Sequence, residues 1–139
     1  MMAASIRPGP EEPAKELALE LERTPEAPSV ARAAIVGFCQ DREVSSHATA
    51  TLMLLTSEIV TNAVVHPDAN QDATLGFSAR LNEDFIRIEV TDQGSGFTPK
   101  PRDPDQVGGG YGLYLLQAEA TRWGVDIQPW TTVWFEVDI

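Results

Sequence analysis

At 139 residues the chain is of single-domain size and long enough to bury one core. Its 42% hydrophobic and 22% charged residues are ordinary for a globular protein and argue against global disorder. Asp and Glu outnumber Lys and Arg by 21 to 10, the net charge is −11 and no basic run interrupts the acidity, so the chain repels nucleic-acid backbones and DNA or RNA is not an expected partner.

The single cysteine, Cys39, allows no internal disulfide and suits a reducing compartment. It lies in an apolar helical stretch, where a buried, inert thiol is expected. Residues 1–16, MMAASIRPGPEEPAKE, lack the apolar segment of a secretory signal. The longest purely apolar run of the helical region, Leu52 to Leu55, is far below the roughly 20 residues a membrane span needs. The expectation is a cytoplasmic protein with no membrane partner.

Residues 1–16 are rich in Pro and Glu without periodicity and read as a flexible tail, leaving 17–139 as one domain. Leu17, Leu19 and Leu21 alternate with Ala18, Glu20 and Glu22, the pattern of a strand with one buried face. After TPEAPS, Ser29 is placed to cap a helix over 30–40. A longer helix follows over 48–65. From Ser45 to Val65 the only charge is Glu58, where the chain's average would place about four or five, so most of its circumference is buried. Pro67 ends it. Strands over 73–81 and 85–91 flank the short polar turn Asn82-Glu83-Asp84 and form an antiparallel hairpin. A Gly- and Pro-rich loop over 93–109 is long for a connector and reads as a functional lid. A helix over 111–121 and strands over 124–128 and 131–137 complete the order β-α-α-β-β-α-β-β. The fold class is α+β, a two-layer sandwich of a mainly antiparallel sheet with three helices on one face.

Three constellations carry chemistry. In Glu58-Ile59-Val60-Thr61-Asn62-Ala63-Val64-Val65-His66, the residues Glu58, Asn62 and His66 stack at i, i+4 and i+8 on one narrow helix face. The Asn62 oxygen suits a hard cation such as Mg²⁺ that keeps waters and phosphate as its other ligands. Glu58, one turn away, can accept a proton from an attacking hydroxyl; a solvated polar stripe at a helix edge would have the same spacing. In the second, Asp92-Gln93-Gly94-Ser95-Gly96, a carboxylate at a strand end precedes glycines that permit close backbone approach, an arrangement able to grip an exocyclic amine. An ordinary strand-to-loop turn uses the same residue types. The third, Gly108-Gly109-Gly110-Tyr111-Gly112-Leu113, opens a helix whose free N–H groups and partial positive charge favour a phosphate chain; a flexible hinge is the alternative. It lacks the lysine of a P-loop and the close preceding strand of a Rossmann turn.

Taken in order, E-x-x-x-N on a helix, D-x-G-x-G after a strand and G-x-G-x-G before a helix resemble the N, G1 and G2 boxes of the gyrase/Hsp90/histidine-kinase/MutL (GHKL) ATP-binding family. SEIVTNAVVH and YGLYLLQAEATRWGV resemble especially its small anti-sigma-factor serine/threonine kinases, the RsbW-like group. That resemblance implies a Bergerat-type sandwich binding ATP and Mg²⁺, with Glu58 as catalytic base, Asn62 as metal ligand and Asp92 reading adenine. It also places His66, Gly94, Gly96, Gly108, Gly110, Gly112, Leu113 and Thr132 at the nucleotide, with Thr131 or Thr132 at an adenine-side water. The implied protein partner is an anti-sigma-factor antagonist or a sigma factor, and a homodimer is a further expectation. Against the family pattern, Pro67 follows His66, Trp130 stands where glycine is common, and the lid, with Lys100 and Arg102 as its cations, is short. The activity implied is transfer of the ATP γ-phosphoryl to a serine or threonine. The alternative is a nucleotide-gated module that sequesters its partner without turnover.

Overall fold

The computed structural model describes residues 15–65, 74–92, 112–127 and 130–139. Its elements are β1 (Glu16–Glu22), α1 (Ala27–Asp41), α2 (Ser46–Val65), β2 (Thr74–Leu81), β3 (Phe85–Asp92), α3 (Gly112–Glu119), β4 (Arg122–Asp126) and β5 (Thr131–Asp138). The five strands form one antiparallel sheet in the order β1-β2-β3-β5-β4. This is the expected α+β order of elements. The assignment of residues 1–14 to a tail lies outside the described residues.

Period-two patterning settles which face is buried. Leu21 lies opposite Leu75, Phe77 opposite Val90, Ile88 opposite Phe135 and Val133 opposite Val125, and directly paired residues project to the same side. That side carries the core, with α1 against β1, α2 against β3 and β5, and α3 against β4. Asn82 closes the β2–β3 hairpin: its side-chain oxygen accepts the N–H groups of Asp84 at 2.8 Å and Phe85 at 2.9 Å, a local mimic of a backbone turn.

Helix starts differ from the sequence expectation. α1 begins at Ala27 with Glu26 as its uncapped boundary residue and Pro28 in the first turn, where a missing N–H costs nothing. Ser29 therefore lies inside the helix, and its hydroxyl accepts from Arg32 Nη2 at 3.2 Å. α2 begins at Ser46, two residues upstream of the expected start, because Ser45 Oγ caps it by accepting the Ala48 N–H at 3.1 Å. With 20 residues and a mean hydropathy of 1.4, α2 is long and apolar enough to cross a bilayer by those two measures, although no run within it is purely apolar over such a length. Here Leu52, Leu55, Ile59, Val60 and Ala63 pack into the core. α3 stops at Glu119, and the Thr121 N–H donates to the Glu136 carbonyl at 2.8 Å, so β4 starts two residues earlier than expected.

The opposite face of the sheet carries a charged and aromatic network. Glu136 accepts from Arg87 at 2.9 Å and from Arg122 at 2.5 Å, and the Arg87 guanidinium lies 4.1 Å from the Trp134 ring centre. Gly124 pairs with Trp134, and a Cβ at Gly124 would come within 2.7 Å of the indole. Only glycine leaves room for the ring to lie there.

Candidate functional site

β3 ends on Asp92, on the core face of the sheet, paired with Leu75 on one side and Thr131 on the other. A carboxylate in such a place demands a cation, since burying an unpaired charge is among the costliest events in folding. The cation is Arg23. It follows β1 directly, and its Nη2 lies 2.5 Å from Asp92 Oδ1, with both side chains 0% exposed. The same guanidinium reaches helix α2, where Nη1 donates to the Ala63 carbonyl at 2.5 Å. Ala63 is in the last turn of α2, where carbonyls have no helical N–H to accept, and a guanidinium there also opposes the negative end of the helix dipole.

This one side chain brings two sequence motifs together. Asn62 precedes Ala63, and Glu58 lies one turn earlier; both are half-buried at the border of the α2 face that carries Ile59, Val60 and Ala63. The amide-bearing turn of α2 and the carboxylate ending β3 are thus neighbours through Arg23. Among the described residues no group of three or more His, Cys, Asp or Glu side chains is arranged to hold a metal. A cation held by Asn62 would draw its remaining ligands from water and phosphate, as Mg²⁺ does at nucleotide sites.

The register separates the two threonines of β5. Thr131 shares the face of Asp92 and is 4% exposed. Thr132 points to the opposite face, where its hydroxyl lies 3.0 Å from that of Thr91. Thr131, rather than Thr132, stands beside the Asp92 carboxylate. Gly112 opens α3, and Leu113 is half-buried against the core. His66, Gly94, Gly96, Gly108 and Gly110, with the lid over 93–109, lie outside the described residues. Cys39 is 1% exposed. Burial pushes its thiol up, against the opposing hydrogen bond of Thr49 and the charge of Arg42, which suits an inert core cysteine.

The sequence profile of the histidine kinase-like ATPase domain matches residues 21–128. The chain belongs to that family. Among relatives of this ATPase domain, the serine-protein kinase RsbW of Listeria innocua is 28% identical over 115 residues, covering 73% of each chain. The serine-protein kinase RsbW of Oceanobacillus iheyensis is 27% identical over 113 residues, covering 72% of each. The crystal structure of the RsbU and RsbW domains of a Mycobacterium tuberculosis protein superposes with a TM-score of 0.70 at 21% identity, over 90% of this chain and 32% of that one. The domain therefore shares that fold while spanning about a third of the longer chain.

Arg23 is the member of the site that the motifs do not point to. A signal for it exists in the first strand: Leu17, Leu19 and Leu21 point inward, and the next position of that alternation is Arg23. A cation on an inward position needs a buried anion.

Proposed function

We propose that this ATPase domain binds ATP with Mg²⁺ and transfers the γ-phosphoryl group to a serine or threonine of a small regulatory protein, an anti-sigma-factor antagonist. The observation that carries this reading is the buried Asp92 carboxylate tied to the last turn of α2, directly beside Asn62 and one turn beyond Glu58. The similarity to the RsbW serine-protein kinases of Listeria and Oceanobacillus supports the choice of reaction and of partner class.

Each side chain has one task. Asp92 accepts a hydrogen bond from the exocyclic amine of adenine, and the Thr131 hydroxyl sits on the same face of the sheet. Asn62 offers its amide oxygen to the metal. Mg²⁺ and ATP, when bound, supply charge neutralisation and the phosphoryl donor. Glu58 takes the proton of the attacking hydroxyl as that oxygen bonds to the γ-phosphorus and the bond to the bridging oxygen breaks, releasing ADP. Little covalent chemistry falls to the protein; its contribution is position and electrostatics.

Incubation of the full chain with ATP labelled at the γ-phosphate and a purified antagonist protein tests the proposal. The expected result is label on a serine or threonine of the antagonist, lost with Glu58→Ala. Absence of ATP binding in calorimetric titration overturns it. Nucleotide-dependent capture of the partner, or of a sigma factor, with no label transferred identifies a sequestering module instead.

A further inference from the structure

We infer that Arg23 is a positioning residue that sets base specificity, by holding Asp92 as a fixed anionic acceptor at the base end of the nucleotide site. The inference rests on the assignment of Asp92 to the base, proposed above. Its physical basis is the geometry of one guanidinium with two tasks.

A carboxylate alone at the end of a strand can rotate about two side-chain bonds and present either oxygen in several directions. Asp92 does not have that freedom. Its Oδ1 lies 2.5 Å from Arg23 Nη2 in an ion pair from which solvent is excluded, with both side chains 0% exposed. An ion pair held out of water at this distance is strong, because the low local dielectric screens the two charges little. Arg23 is itself immobilised. Its backbone follows directly on β1, whose last residue, Glu22, pairs with Thr74, and its Nη1 is bonded to the Ala63 carbonyl at 2.5 Å. The anchor at the Ala63 carbonyl fixes where the charge of the guanidinium sits, and that charge restrains the carboxylate facing it.

The chemical consequence is selectivity. Asp92, ion-paired with the Arg23 guanidinium, presents acceptor lone pairs. Such a group accepts from the exocyclic amine of adenine. The carbonyl oxygen that guanine carries at the same ring position meets it lone pair to lone pair, and a buried polar group left unpaired in this way is strongly disfavoured. Without Arg23 the carboxylate is free to turn, and the discrimination weakens.

The test compares MgATP and MgGTP binding to the full chain by calorimetry in wild type, Arg23→Met and Arg23→Lys. The readout is the ratio of the two affinities within each variant, which a uniform loss of folded protein does not change. The expected result is a wild-type preference for ATP that falls about tenfold or more in Arg23→Met, with only part of it restored in Arg23→Lys, which keeps the charge but not the two-pronged group. A folded Arg23→Met protein with the wild-type ratio overturns the inference. Should that variant not fold, the guanidinium nitrogen and proton resonances of Arg23 in wild-type protein decide: they shift on saturation with MgATP, and resonances unmoved by it overturn the inference. The two assignments fail separately. Wild type with no preference for ATP removes the base-reading role of Asp92 and this inference together. A wild-type preference that survives Arg23→Met removes the inference alone.

Discussion

Replacing Asp92 by Asn tests the buried ion pair before any ligand is added. The substitution removes the negative charge beside Arg23 while leaving an acceptor oxygen of similar shape, and both side chains are fully shielded from water, so solvent screening does not discount the loss. Removing one partner of a buried pair costs about 3–5 kcal/mol, because the remaining charge has no counterion. The Ala63 carbonyl still accepts from the guanidinium, which places the cost near the lower bound, about 3 kcal/mol. For a domain of this size that corresponds to roughly a 10 °C fall in melting temperature. Urea and thermal unfolding of nucleotide-free protein, followed by circular dichroism, measure it. A paired replacement by apolar residues, Arg23→Met with Asp92→Leu, removes both charges and is expected to be more stable than Arg23→Met alone, giving a coupling of about 2 kcal/mol or more. If Asp92→Asn unfolds within about 1 kcal/mol of wild type, the pair behaves as an exposed one and the reasoning fails. Nucleotide affinities of Asp92 variants should accordingly be read only after their folded fraction is known.

Four further outcomes are expected. Glu58→Ala lowers phosphoryl transfer by about 10²–10⁴-fold while nucleotide affinity is retained, because a general base acts in the transition state; single-turnover assays alongside calorimetry check it. Thr56→Val raises stability by roughly 1 kcal/mol in urea unfolding, since the Thr56 hydroxyl is buried with no hydrogen-bond partner among the described residues. Gly124→Ala forces the Trp134 ring from its seat and lowers stability by about 1–3 kcal/mol, with an accompanying change in tryptophan fluorescence. The fourth concerns acid. Burial works against the Glu136 carboxylate, but hydrogen bonds and charges from Arg122 and Arg87 outweigh it and hold the group below its ordinary value of 4.5. A carboxyl lowered in the folded state contributes stability above that ordinary value and loses it as pH falls through the folded one. Glu136→Gln should therefore flatten the fall in stability below about pH 4.5 relative to wild type, as followed by urea midpoints across the acid range.

The parts of the molecule legible in the sequence are those that short-range periodicity controls. Alternation marked β1, β3 and β5, and the polar turn Asn82-Glu83-Asp84 predicted the hairpin because Asn82 completes it with its own side chain. The helical spacing of Glu58 and Asn62 placed both on one face of α2, and in the fold they are half-buried one turn apart. Helix starts were less legible. Ser45 and Ser29 are equally plausible caps by residue type, and which of them faces a free N–H depends on where the preceding loop delivers the chain. Long-range pairings were not legible. The choice between Thr131 and Thr132 depends on the register of β5 against β3, two strands separated by α3 and β4 in the chain. The Arg23–Asp92 pair, whose partners are separated in the chain by α1, α2 and β2, was hidden for the same reason.

The sheet order has a consequence for synthesis. β5 follows the other described strands in sequence yet lies inside the sheet, between β3 and β4, and contributes Val133, Phe135 and Val137 to the interior. A nascent polypeptide that has emerged only as far as β4 has β3 as a bare edge of apolar alternation and β4 with no neighbour to pair. Chains truncated before β5 should stay protease-sensitive, and the sheet should close only when β5 joins it, in one late, cooperative event. Until that moment the unpaired β3 edge invites pairing with other chains, so the acidic residues flanking β1 and the hairpin, and the strongly negative net charge, serve the unfinished molecule by keeping neighbouring copies apart.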